Sequence, residues 1–381
     1  MVKIQQRVYS LDVFRGATIA AMILVNNAGS YDHVYPQLLH AAWHGWTVTD
    51  WIFPFFLFIM GISLVFSFQN RQKKGQSRRQ LIWHILRRSA ILFALGLFIN
   101  AFPFGLIPGS GFALETWRIP GVLQRISLCY LFSGLVFLYS NWRHRWYWIV
   151  GLLGLYGLAL KLIPVPGYGS GILAPEGNLV WFIDSTLLGK HTWFFAPVRG
   201  FDPEGIFSTI PAIASTLLGV QTAHWLKTGT SRQEITNKLF IAGHLSLVTG
   251  LLLSFWLPIN KNLWTSSYVF FVNGWALICF AFLYWTIDVK GVRQGTKPFV
   301  IFGMNAITVF VVSELLASVL WAVSWIKETG EFITPHDALY NLLHVVIPGP
   351  VVASLCFALL YVLLMYLMAW FMWKMKWFVK I

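Results

Sequence analysis

Residues 51–74 read WIFPFFLFIMGISLVFSFQNRQKK, an almost unbroken apolar run from Trp51 to Gln69 that closes with Asn70 and then Arg71, Lys73 and Lys74. About 20 such residues in helical form span the hydrocarbon core of a bilayer, and basic residues just beyond the end mark the cytoplasmic side. Similar runs lie near residues 11–30, 83–102, 119–140, 146–163, 207–226, 238–257, 265–287, 298–321 and 351–373, which with the first makes ten candidate spans. The expected fold is therefore all-α, a polytopic membrane bundle of about ten transmembrane helices.

Composition agrees. Hydrophobic residues make up 57% and charged residues 11% of the chain, and mean hydropathy is +0.65, whereas soluble domains carry about 25% charged residues. The 381 residues would suffice for two or three soluble domains, but membrane helices consume that length in one bundle. A single domain, 1–381, with a long extracytoplasmic loop at about 164–206, is expected. The net charge of +14 raises the question of nucleic acid. Its placement answers it. With the N-terminus inside, the inner segments and inner helix ends hold 21 of the 28 basic residues, among them Arg7, Arg15, Arg71, Arg87 and Arg88, and the outer ones hold seven. This bias predicts both termini in the cytoplasm. Charge spread over six inner segments forms no nucleic-acid stripe and suits lipid headgroups or an anionic cytosolic ligand. Cys129, Cys279 and Cys356 lie inside apolar runs without disulfide or zinc spacing and read as packing residues. No cleavable leader is expected, since the run after Arg15 continues without a small-residue cleavage site.

Ionisable residues inside spans are costly and so are the first candidates for function. Asp12 and Arg15 are placed to pair at (i, i+3) on the first helix. Asn26 and Asn27 end that helix, and the loop that follows carries His33, His40 and His44. A histidine exchanges protons at neutral pH with little cost and is a natural general base. His40 and His44 could share a metal if helical, but Ala41, Ala42 and Trp43 add no third ligand, so no metal is expected. The segment from Pro164 to Glu204 is rich in glycine and proline, and its acids Asp184, Asp202 and Glu204 could receive a cationic acceptor such as an amino sugar. Arg118 and Arg125 flank Pro120 and Gly121, Asn260–Asn262 form a polar turn, and Asn305 and Glu314 interrupt the ninth run. Glu314 is expected to pair with a basic residue.

The motifs SLDVFRG at 10–16 and HAAWHG at 40–45, continued by Thr47–Asp50, Phe53–Gly61, Arg118–Arg125, Phe201–Gly205, Pro258–Trp264 and Gly303–Asn305, resemble in order those of the heparan-α-glucosaminide N-acetyltransferase family. The resemblance implies a transmembrane acyltransferase that moves acetyl from cytosolic acetyl-CoA to an amino sugar across the membrane. Without the extra lumenal domain and first helix of the lysosomal enzymes, the chain looks like a bacterial, inner-membrane member, expected to be a homodimer. It implies His40 as catalytic base and Asn26 as its polar partner, donating to the developing oxyanion. Arg7, Arg15, Arg118, Gln124, Arg125 and Asn305 fall to acetyl-CoA, and Trp43, Asp50, Asp202, Glu204 and Asn262 to the acceptor. An extended pantetheine arm of about 20 Å would cross much of a hydrocarbon core of about 30 Å. Imidazole supports either direct transfer or an acetylated His40, with direct transfer preferred. The alternative is a transporter or flippase for a sugar or lipid-linked sugar, suggested by Glu314, Arg125 and the many spans.

Overall fold

The computed structural model describes residues 8–107, 111–326 and 332–379. Arg7 lies outside the described residues. The helices are α1 Tyr9–Asn26, α2 Thr49–Lys73, α3 Arg78–Ala101, α4 Val122–Tyr139, α5 Trp142–Leu162, α6 Leu179–Leu188, α7 Thr209–Thr228, α8 Arg232–Ser254, α9 Ser266–Leu283, α10 Lys297–Met304, α11 Ala306–Ala322, α12 Pro335–Val346 and α13 Pro350–Lys374. The strands β1 Trp325–Ile326 and β2 Phe332–Ile333 form a small antiparallel pair.

Each expected run is helical, yet the count of spans shifts. Among the described residues six helices, α2, α3, α4, α8, α13 and α9 with its continuation to Val289, are long and apolar enough to cross a membrane, and the pair α10–α11 makes a seventh if taken as one. The expected spans at α1, α5 and α7 pack among them but carry polar residues that lower their hydropathy, Asp12 and Arg15 in α1, Arg143 to Arg145 in α5 and Gln221 to His224 in α7. The single span expected at 298–321 is instead broken, with an 80° bend between α10 and α11. Asn305 makes the break, its side chain donating to the carbonyl of Trp377 at 3.0 Å and accepting from the amide of Val379 at 3.2 Å. The helix-breaking residue thus spends its amide on the tail that follows α13. Sequence reading also missed α6, inside the long loop, and α12.

Close helix contacts rest on glycine. A Cβ at Gly61 would meet the Thr216 carbonyl at 2.1 Å, and one at Gly219 the Phe58 carbonyl at 2.1 Å, so α2 and α7 touch nearly backbone to backbone. Gly16 and Gly303 do the same for α1 and α10. Such small-residue contacts replace the hydrophobic drive that helices lack in lipid. The first turn of α1 is capped from far along the chain: Asp288 accepts from the amides of Tyr9 at 3.2 Å and Ser10 at 2.9 Å. Asp288 lies in a π-helical turn, Tyr284–Val289, and an acid there suits the amide-rich end of a helix. At the opposite end, Trp43 packs with Phe201 under the long loop, where a separate apolar cluster includes Tyr156, Val180 and Leu263.

Candidate functional site

His40 follows the short turn Pro36–Leu38 and precedes α2. Its side chain is 53% exposed, whereas that of Asp50, in the first turn of α2, is 1% exposed. Between them Nδ1 of His40 and Oδ1 of Asp50 are 2.7 Å apart. The other carboxylate oxygen accepts from the amides of Ala41 at 3.1 Å and Thr47 at 2.9 Å, and from the Thr47 hydroxyl at 3.2 Å. A carboxylate so bound is fixed in place, and at 2.7 Å its remaining oxygen calls for a donor at Nδ1. The hydrogen-bond pattern therefore assigns the proton to Nδ1 and makes Nε2 the acceptor of the ring.

A second loop, from Pro258 to Thr265, closes over the first. Asn260 is fully buried. It donates to the Trp43 carbonyl at 2.8 Å, contacts Nδ1 of His44 at 3.2 Å and accepts from the amide of Leu263 at 2.8 Å. The amide of Gly45 donates to the Ile259 carbonyl at 2.8 Å. Lys261 is thereby carried over the imidazole, its Nζ 3.0 Å from Nδ1 and 3.2 Å from Nε2 of His40 and 3.7 Å from Asp50. Being nearly equidistant from both ring nitrogens, the ammonium lies over the ring face. Burial lowers the Lys261 pKa, with Asp50 and Glu204 pulling in the opposite direction. His44 is also lowered, first by burial and then by Lys161, which suits a neutral ring accepting from Asn260.

Around this pair the charges are matched. Arg118 donates to both oxygens of Asp202, at 2.8 and 2.7 Å, and to Glu204 at 2.7 Å. Burial opposes the charge of Arg118, but the two acids raise its pKa above the ordinary arginine value. Burial likewise opposes ionisation of Glu204, yet Arg118, Arg125 and Lys261 hold its pKa below the ordinary value. Asp202 is also bonded by the amides of Trp193 and Glu204, each at 2.9 Å, and is fully buried. Arg125 donates to the Gly205 carbonyl at 3.1 Å and to the Ser208 hydroxyl, and its guanidinium lies 4.9 Å from the Trp264 ring. Asp184, in α6, accepts from the amide of Ile206 at 2.9 Å. Burial pushes its carboxyl up to about 7.

The opposite end of the bundle is differently built. A cavity of about 350 Å³ is lined by residues that include Arg15, Arg71, His84, Arg88, Ser63 and Asn305. A neighbouring recess of about 670 Å³ shares Arg71 and His84 and adds Arg79 and Arg87. Among the described residues lining either space, none is acidic. Arg15 reaches Ser63 at 2.6 Å and Asp12 at 3.4 Å. Ser63 stands thirteen residues from Asp50 along α2, about 20 Å at 1.5 Å per residue. Between the two levels lies a small apolar void lined by Ile19, Met22, Phe310 and others, which shares Phe56, Ile126, Ala306 and Ile307 with the cavity.

The residues expected to form the site thus divide. His40 and Asp50 come together with Lys261, Asn262 follows Lys261 in the same turn, and Trp43 is beside them, its indole donating to the Leu173 carbonyl at 2.7 Å. Asp50 is the partner of His40, and its oxygens are taken up by groups of the chain. Asp202 is saturated by Arg118 and backbone amides, because a buried carboxylate must be neutralised where it sits. Arg15 and Asn305 line the basic cavity. Arg118, Gln124 and Arg125 do not, since the loop before α4 and the first turn of α4 carry them to the His40 end. Glu314 was expected to pair with a basic residue, but it contacts the side chain of Asn26. Among the described residues no hydrogen bond joins Asn26 to His40. Among those residues, too, no cluster of histidine, cysteine and acid is arranged to hold a metal. Sequence reading gave Lys261 and Asn260 no role, although the polar turn Asn260–Asn262 and the motif Pro258–Trp264 contain both.

A family model described as "Heparan-alpha-glucosaminide N-acetyltransferase, catalytic" matches residues 7–259. The human protein named heparan-alpha-glucosaminide N-acetyltransferase is 33% identical over 358 residues, covering 81% of this chain and 53% of the human one. Its mouse counterpart is 31% identical over 359 residues, covering 81% and 54%. The chain spans about half the length of the curated relatives it matches. Its helical membrane fold, its ordered motifs and these matches show that it belongs to the heparan-alpha-glucosaminide N-acetyltransferase catalytic family.

Proposed function

We propose that this chain transfers acetyl from acetyl-CoA to the amine of an amino sugar of the glucosamine type, with His40 as general base. The observation that carries the reading is a half-exposed imidazole held at Nδ1 by a buried carboxylate, with Lys261 3.2 Å from Nε2. As the neutral amine attacks the thioester carbonyl carbon, its proton passes to Nε2 and a C–N bond forms. Collapse of the tetrahedral intermediate breaks the C–S bond, and the proton on Nε2 goes to sulfur, which leaves as free thiol. Asp50 holds the ring and stabilises the imidazolium in between, as an orienting acid does for a catalytic histidine. Direct transfer in a ternary complex is the simplest form of this sequence.

The basic cavity fits the other substrate. CoA is a long polyanion with an uncharged arm, and the lining offers cations without acids, followed by an apolar constriction leading toward the His40 end. Arg15, Arg71 and Arg88, with Arg79 and Arg87 at the mouth, are the groups that would receive its phosphates. The described start of α1 and the tail near Val379 lie at this same end, which supports placing both termini and the cavity in the cytoplasm. The whole chain, 1–381, is read as one transmembrane acyltransferase domain in a bacterial cytoplasmic membrane, acting as a homodimer among lipid. The transporter alternative is not favoured, because Arg125 and Glu314 both have local partners.

Purified protein in detergent or nanodiscs, given acetyl-CoA and glucosamine, should release free thiol and form the N-acetyl sugar. Neither turnover nor acetyl-CoA binding by the unmodified protein would refute the reading.

A further inference from the structure

We propose that Lys261 is a catalytic residue of this site, the cation that stabilises the negative charge developing on the acetyl carbonyl oxygen. The inference rests on the acetyltransferase reading and assigns a group that reading leaves open, since the amide of Asn26 is engaged by Glu314.

Geometry supports it. The attacking amine must lie within about 2.6–3.2 Å of Nε2 to surrender its proton. The carbonyl oxygen is two bonds from that nitrogen in the tetrahedral intermediate, and a donor serves it best at about 2.7–3.1 Å. A donor suited to both constraints must sit close to Nε2 without lying on the line along which the proton moves. Nζ of Lys261 is 3.2 Å from Nε2 and over the ring face, off that line. It is held there independently of any ligand. The loop beneath it is pinned by buried Asn260, and the amide of Trp264 donates to the Lys261 carbonyl at 3.0 Å. Trp264 takes a positive φ of 51°, a conformation costly for a non-glycine residue. Its indole is fixed by a bond to Ser215 at 3.1 Å, so the turn that aims Lys261 is held against its local preference.

The charge balance also fits. The acids facing Lys261 are Asp50 and Glu204. The oxygens of Asp50 are committed to His40, Ala41 and Thr47, and Glu204 to Arg118. The charges of both acids favour the ammonium form of Lys261 against its burial, and because those acids are bonded elsewhere it can turn a donor to a third, transient oxygen. In a site partly removed from water such a preplaced charge acts more strongly than in bulk solvent.

The test compares Lys261→Met and Lys261→Arg with the unmodified protein, using acetyl-CoA and fluoroacetyl-CoA as donors and direct measurement of acetyl-CoA binding. The expected result is a fall in kcat of about 10²–10³-fold in Lys261→Met, the range found when an oxyanion donor is removed, with acetyl-CoA binding retained and part of kcat restored in Lys261→Arg. The more electrophilic fluoroacetyl group needs less stabilisation of its oxygen, so the deficit should narrow with it. A merely structural lysine would give equal deficits with both donors. Equal deficits, or unchanged kcat in Lys261→Met, would overturn the proposal, as would peptide mass spectrometry showing Lys261 itself acetylated during turnover. No turnover by the unmodified protein would instead sink the acetyltransferase reading.

Discussion

The two ends of the bundle treat charge in opposite ways. At the His40 end three buried acids have cationic partners: Asp50 with His40 and Lys261, Asp202 and Glu204 with Arg118. At the Arg15 end Arg71, Arg79, Arg87 and Arg88 surround open volume without an acid in the lining. A balanced lattice is already at its energy minimum and holds reacting groups still, because removing one partner strands a buried charge. An excess of cations around a cavity is completed only by an anion from outside. On the proposed function one end is preorganised for chemistry and the other for capture, about 20 Å apart along α2.

This contrast can be broken experimentally. His40→Ala removes the base itself and should lower kcat by up to about 10⁴-fold while leaving acetyl-CoA binding intact; loss of binding instead, measured by calorimetry, would merge the two ends into one site. Asp50→Asn keeps the shape but gives up the charge that orients Nδ1, and should cost about 10²-fold in kcat, again without weakening acetyl-CoA. At the other end Arg71→Gln should act on KM for acetyl-CoA and spare kcat. One lost charge-assisted bond of about 1.5–3 kcal/mol corresponds to a tenfold or greater rise, and the rise should shrink as added salt screens the attraction between Arg71 and the CoA phosphates in the unmodified protein as well.

The smallest effect concerns stability. The Asp184 carboxyl rises from 3.8 to about 7 on folding. A raised acid stabilises the fold fully below its unfolded value and loses that contribution as pH climbs through the folded value. Thermal stability should therefore decline between pH 3.8 and about 7 through this group, and Asp184→Asn should flatten that part of the profile, measured by thermal unfolding in detergent. An unchanged slope would show that Asp184 is not the group that titrates.

Much of this molecule was legible in one dimension because a bilayer is a demanding solvent. Runs such as 51–69 can only be helices there, and the resemblance singled out His40 without any knowledge of its partner. Asp50 was visible too, but its role was not: ten residues from His40, it became the holder of Nδ1 only when the turn before α2 folded the loop back. The break at Asn305 was hidden because nothing local requires it; the tail residues 377–379 that occupy its amide lie some seventy positions away.

The sequence by itself determined the apolar periods, the sidedness of the basic residues and the family motifs, since these depend on residue type and order. Only the tertiary structure decided that Arg118 and Arg125 stand with the acids of the long loop, that Arg71 and Arg88 face the cavity, and that Lys261 reaches His40 across 221 positions. Charges are read from composition, but whether a charge is neutralised or left for a ligand depends on distances of a few ångströms that chain order does not encode.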